Sequence, residues 1–142
     1  MYAVRDALAA GFDANECDQW GWSLLHRAAA NNRPGVIRAL VEHHARVEQR
    51  SKIGWTPLHL AAISGSARAT QALLDCGSSP VVEDANGDTP LHFAAISQNL
   101  EVAAILLAAG ADPNMPNREG ESPVSVARAT ALDPLVALLE RY

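Results

Sequence analysis

Large aromatic side chains are scarce in this chain. Phe, Trp and Tyr make up 5% of its 142 residues. That speaks against a large aromatic core. Apolar residues still reach 49%, and Ala is abundant, which suits close helix packing. Cysteine is nearly absent: Cys17 and Cys76 are the two, and neither lies in a CxxC pair. That excludes a disulfide framework and makes a reducing compartment the expectation, the cytoplasm, with the nucleus as the alternative. No stretch approaches the ~18–20 apolar residues needed to cross a bilayer, so no membrane insertion is expected. The opening "MYAVRDALAAGFD" carries an acid within its first six residues and no long apolar run, unlike a secretory signal. There is no Asn-x-Ser/Thr acceptor. Cationic excess is missing too: the net charge is −5, which argues against sequence-independent nucleic-acid binding. The charge is uneven. Residues 1–71 carry eight Arg/Lys against six Asp/Glu, and residues 72–142 carry three against ten. Such asymmetry can steer a partner.

What the chain does have is a period. "GWSLLHRAA", "GWTPLHLAA" and "GDTPLHFAA" begin at Gly21, Gly54 and Gly87, each 33 residues after the last, and Gly120 continues the column. Ser23, Thr56, Thr89 and Ser122 form a second column, Leu24, Pro57, Pro90 and Pro123 a third, and His26, His59, His92 and Ser125 a fourth. Gly11, His44, Gly77 and Gly110 keep the same interval, as do Leu40, Leu73, Leu106 and Leu139. A fixed period of this length is the mark of a stacked array.

One copy shows the local physics. Thr56 is a good N-cap, and Pro57 follows at the first helical position, where a missing N–H costs nothing. His59 falls where a capping box carries Glu or Gln, so its imidazole can reach back to the cap. "LHLAAIS" reads as a short helix stopped by Gly65. Ser66 is expected to cap a second helix, "ARATQALLDC", which Gly77 ends. The stretch up to Gly87 is extended and turn-rich. Neither helix is long enough to stand alone in water. Stacking buries a shared apolar seam that one copy cannot bury.

These motifs resemble the ankyrin repeat, with its G-x-T-P-L-H-x-A-A core, its paired leucines and its G-A-D-x-N close. "DANGDTPLHFAAISQNLEVAAILLAAGADPN", Asp84 to Asn114, is nearly the family pattern. The resemblance implies an all-α solenoid of stacked helix-turn-helix units with projecting β-hairpin-like loops. We place a half repeat at 1–17, with a helix from about Tyr2 to Ala10. Full repeats follow at 18–50, 51–83 and 84–116, and a C-terminal capping repeat at 117–142. The missing first helix of the half repeat fits either a natural start or a segment of something longer. Leu24, His44 and Ser125 depart from the pattern, and His44 stands where φ > 0 is required. Pro134 is expected to start the last helix about a position late. Ser125, Arg128, Glu140 and Arg141 give the last unit the polar character of a cap.

Catalytic chemistry finds little support. The recurring histidines look like ligands, but capping explains their spacing. Stacked copies ~10 Å apart cannot share one metal. His43 and His44 are helix neighbours and face different ways. Ser23 with His26, or Thr56 with His59, lacks an orienting third group and an oxyanion loop. There is no P-loop or dinucleotide fingerprint. The Asp84–Asp88 segment lacks the bidentate Glu of a calcium loop. Cys17 is expected on a loop tip and Cys76 as a packed thiol. No enzyme activity and no cofactor are expected.

Binding is the better prospect. The resemblance implies that the loop tips and the exposed face of the first helices line a concave surface. The tip columns hold Gln19, Lys52, Ala85 and Arg118, then Trp20, Ile53, Asn86 and Glu119, and then Trp22, Trp55, Asp88 and Glu121. All three tryptophans fall here, and tryptophan often anchors interfaces. The first two tips are apolar and the next two polar. Ala30, Asn31, Ile63, Ser64, Ile96, Ser97 and Thr130 extend the groove, and Arg27 can reach into it. Two roles are open for a tip tryptophan: contact with a partner, or packing on the neighbouring tip. On the first, Trp22 and Trp55 are anchors with Trp20 and Ile53 around them, and replacing the pair by Ala abolishes capture without lowering stability. The expected partner is a protein segment with apolar and basic residues, bound by a monomer. Two other readings stand beside this: a structural segment of a larger scaffold, and a regulatory inhibitor using the same surface.

Overall fold

The computed structural model describes residues 7–130 and 133–142. A helical turn at 7–9 is followed by eight short helices: α1 (Leu24–Ala30), α2 (Pro34–Glu42), α3 (Pro57–Ile63), α4 (Ala67–Asp75), α5 (Pro90–Ser97), α6 (Leu100–Ala108), α7 (Pro123–Ala129) and α8 (Asp133–Glu140). Residues 2–6 of the expected first helix lie outside the described residues. The odd-numbered helices pack side by side in one layer and the even-numbered ones in a second. Each helix touches its own partner and its neighbours in the row, as a solenoid requires.

Local chemistry explains each helix start. Ser23, Thr56 and Thr89 have extended backbones and form capping boxes with His26, His59 and His92. Ser122 and Ser125 make the same box without an imidazole. Second-layer helices begin differently. Asn99 caps α6 by accepting the Val102 N–H at 2.8 Å. The Ser66 side chain does not cap α4, contrary to expectation. Its hydroxyl donates across the layer to the Ala30 carbonyl at 3.4 Å. An N–H in the first turn of α4, that of Ala69, is taken instead by Asn32 Oδ1 of the unit before, at 2.9 Å. The residue type was right for a cap, but a neighbouring unit supplies the acceptor.

The core runs the length of the stack. Leu25, Leu58 and Leu91 from the first layer are buried with Leu40, Leu73, Leu106 and Leu139 from the second. Each such leucine contributes about 1.5–3 kcal/mol by leaving water. Ala29, Ala62 and Ala95 are wholly buried and let the first-layer helices approach closely. His44 adopts φ 70° where its column has glycines, as its position demands.

The loops project as tight turns. In each, a backbone pair closes the base: Asp18 N–H to Trp22 O, Ser51 to Trp55, Asp84 to Asp88 and Asn117 to Glu121. Among the described residues the pairing reaches strand character only as one bridge, Cys17 with Ser23. Consecutive tips are bonded to each other, Lys52 N–H to Trp20 O at 2.9 Å and Arg118 N–H to Asn86 O at 3.0 Å. That closeness is why glycine is needed: Gly54 has φ 83°, and a Cβ there would sit 2.9 Å from the Ala85 nitrogen.

Candidate functional site

The histidine column builds the base of the tips. In each of three units the imidazole Nδ1 accepts the cap N–H, from Ser23 at 3.1 Å, Thr56 at 3.2 Å and Thr89 at 3.0 Å. The opposite nitrogen, Nε2, therefore carries the proton, and it donates to a carbonyl of the following tip. The acceptors are Trp55, Asp88 and Glu121, each at 2.8 Å. One side chain thus caps its own helix and ties down the next unit. Burial pushes the basicity of His26 and His59 below the ordinary imidazole value, which keeps both neutral. With both nitrogens of each ring so engaged, the column is structural. Among the described residues no three His, Cys, Asp or Glu side chains are grouped to hold a metal ion.

A second column fixes the shape of each tip. Asp18 Oδ1 accepts the N–H groups of Trp20 and Trp22, at 2.9 and 3.0 Å. Asp84 Oδ1 does the same for Asn86 and Asp88, and Asn117 Oδ1 for Glu119 and Glu121, all at 2.9 Å. Ser51 holds Trp55 N–H at 3.2 Å. Sequence reasoning missed these residues. The signal was present: Asp18, Ser51, Asp84 and Asn117 are 33 apart, and all carry short side-chain acceptors. Desolvation pushes the Asp18 carboxyl up, but the Trp22 and Trp20 N–H bonds and nearby Arg27 outweigh it and hold it below the usual value.

The three tryptophans divide. Trp20 is 57% exposed and Ile53 is 50% exposed. Trp22 and Trp55 are half-buried. Trp55 packs on the core and donates its Nε1–H to Asp84 Oδ2 at 3.0 Å. Its ring meets Trp22 edge-on at 6.2 Å and Phe93 at 4.9 Å, and Trp22 in turn meets His26 at 5.2 Å. Trp22, Trp55 and Phe93 form an aromatic ladder under three units. Each of these two half-buried rings packs on aromatic neighbours with one part of its surface and is open to solvent with the rest.

A family model for ankyrin repeats, in three copies, matches residues 2–84, 47–117 and 69–139. The chain belongs to the ankyrin-repeat family. Among curated proteins, the 2-5A-dependent ribonuclease of Mus musculus is 40% identical over 50 residues, which are 34% of this chain and 7% of that protein. Ankyrin repeats generally mediate protein–protein interaction and are typically non-catalytic.

On the ankyrin array, the remaining candidates separate by what their side chains already do. Asp88 is half-buried and accepts from Asn117 Nδ2 at 2.8 Å and from Asn86 Nδ2 at 3.2 Å, so it links two tips. Asn86 is half-buried as well. Glu119 and Glu121 are exposed. On the first layer, Ser97 Oγ donates to Ala62 O at 3.1 Å and staples α5 to α3. Asn31 is exposed, its amide donating to Arg27 O of its own helix at 2.9 Å. Ser64 is exposed, as is Ile96, while Ile63 packs partly against the core. A groove of about 230 Å³ lies between α1 and α3, lined by Asp18, Trp22, Arg27, Ala30, Asn31 and Leu60. Cys17 is exposed, and burial pushes the Cys76 thiol up, away from reactivity. No described helix is long and apolar enough to cross a membrane.

Proposed function

We propose that this ankyrin array is a non-catalytic interaction module of the cytoplasm or nucleus. In this reading it holds a partner protein on its tips and first-layer face. The carrying observation is the pair Trp20 and Ile53: two large apolar side chains, more than half or half exposed, on tips locked together by the Lys52–Trp20 backbone bond. Exposed apolar groups on a fixed frame lose little ordering entropy on binding. Glu119 and Glu121, exposed on the last tip, favour basic residues in the same partner. Asn31 and Ser64, on the first layer, border the path between. Trp22, Trp55, Asn86, Asp88 and Ser97 shape the surface from below. The ribonuclease's own activity is not carried over, because the match spans 7% of that protein.

The test is comparative capture. Wild type, Trp20→Ala/Ile53→Ala and Glu119→Lys/Glu121→Lys are immobilised, and retained proteins are compared. A partner lost with both variants, whose melting temperatures match wild type, supports the reading. Retention unchanged by either variant sinks it.

A further inference from the structure

The solvent-facing columns of the second layer change character along the stack. One holds Arg38, Gln71, Ala104 and Ala137, another Glu42, Asp75, Ala108 and Arg141, and all of these are exposed. Helix α6, LEVAAILLA, carries a single charge, Glu101, and is otherwise apolar all round. A helix of that kind is ordinarily covered on every side. Here one side is open. A groove of about 610 Å³ runs between α6 and α8, floored by Leu100, Ala104, Pro134, Ala137 and Leu138. Leu100 is 42% exposed. Both walls are described helices that pack on each other. A further unit stacked on α8 would leave the groove open, because the same columns are exposed in units that do have a successor. The charges lie at its two ends. Glu101 is in the first turn of α6, and Arg141 follows the last turn of α8. Both line the groove and both are exposed. Neither has an ion-pair partner among the described residues. Asp133 opens α8 at the acidic end, and Glu140 at the basic end is already paired with Arg128 at 2.6 Å. Arg68 and Asp75 belong to α4, one helix away.

We propose that this groove is the contact between two copies of the chain, related by a two-fold axis. An isologous interface needs a patch that is complementary to itself. An apolar floor with an acidic end and a basic end has that property. An axis lying in the plane of the face and crossing the helices lays the acidic end of each groove on the basic end of the other. Glu101 then meets the second copy's Arg141, and the pairing occurs twice. A segment carrying one sign of charge would be repelled at one end. Pairing also removes from water an apolar face that single chains rarely leave open. The proposal departs from the single copy expected on sequence grounds. None of the lining residues lies on a tip, so both copies keep their tips free.

The test is sedimentation of the whole chain from about 1 µM to about 1 mM, which is expected to show a monomer–dimer equilibrium. Ala104→Gln/Ala137→Gln gives two floor positions the residue that Gln71 already supplies in their column. It is expected to raise the dissociation constant about ten-fold or more, with the melting temperature of the dilute chain unchanged. Glu101→Arg alone is expected to weaken the dimer by facing like charges, and Glu101→Arg/Arg141→Glu to restore it to within about three-fold of wild type. A chain that stays monomeric throughout, a dimer indifferent to the Gln pair, or a double reversal no tighter than Glu101→Arg would overturn the proposal. Trp20→Ala/Ile53→Ala is expected to leave the dimer intact. Loss of the dimer in that variant would move the contact to the tips and overturn the proposal as well, whereas loss of partner capture alone bears only on the tip reading.

Discussion

At the scale of the residue, two tryptophans on neighbouring tips have different work. Trp20 carries most of its ring in solvent, while Trp55, one unit on in the Trp22 column, is held between Trp22 and Phe93 with its N–H on Asp84. Removing a wholly buried Trp costs about 3–5 kcal/mol, so the half-buried Trp55 is expected to cost about 2–3 when changed to Ala. Trp20→Ala is expected to stay within about 0.5 kcal/mol of wild type, as exposed substitutions do. Urea unfolding of the two variants decides it. Equal stabilities would show that the aromatic ladder contributes nothing. Sequence alone left the choice open for a physical reason. One of the two ring partners of Trp55, Phe93, sits in a different column of the following unit, and a column-by-column comparison does not pair them.

At the scale of the element, the joint between units is an imidazole. His26 and His59 are neutral in the fold because burial lowers their basicity below the ordinary value of 6.5. The unfolded chain therefore takes up protons first as pH falls. The stabilising contribution is full above that ordinary value, shrinks as pH drops below it, and is lost once pH passes the lower folded value. Protonation also removes Nδ1 as an acceptor and so breaks the cap. Between about pH 7.5 and 5.5 the melting temperature of wild type should fall more steeply than that of His59→Gln, which caps without titrating in this range. Parallel slopes would refute the role. Much of this level was legible: the N-caps, the proline starts and the left-handed stops follow from residues at fixed offsets. What escaped were bonds crossing from one unit to another. These were Nε2 to the next tip, Asn32 to α4, and Asp88 to Asn117. Local spacing fixes how a side chain serves its own helix and is silent about a neighbour placed by stacking. The Asp18, Ser51, Asp84 and Asn117 column was readable in principle, since its period is the same as that of the glycines.

At the scale of the whole molecule, the array is nearly one-dimensional, and its response to damage should depend on where the damage falls. Leu73 and Leu139 occupy the same column and are both wholly buried. Helix α4 packs against α3, α2 and α6, and so joins units on both sides, whereas α8, the last helix of the described residues, packs against α7 and α6. Leu→Ala at either site removes a core side chain worth about 2–5 kcal/mol. In a globular core the two losses would be felt everywhere alike. In a stack, stability is a sum of unit terms and neighbour terms, so the end can open alone. Hydrogen exchange should therefore show Leu139→Ala speeding the amides of α7 and α8 while those of α3 and α5 keep their protection. Leu73→Ala should weaken protection on both sides of it. If Leu139→Ala released all helices together, the units would be coupled too strongly for the tips to be treated as a row of separate contacts, and single-tip substitutions could no longer be assigned to the surface they alter.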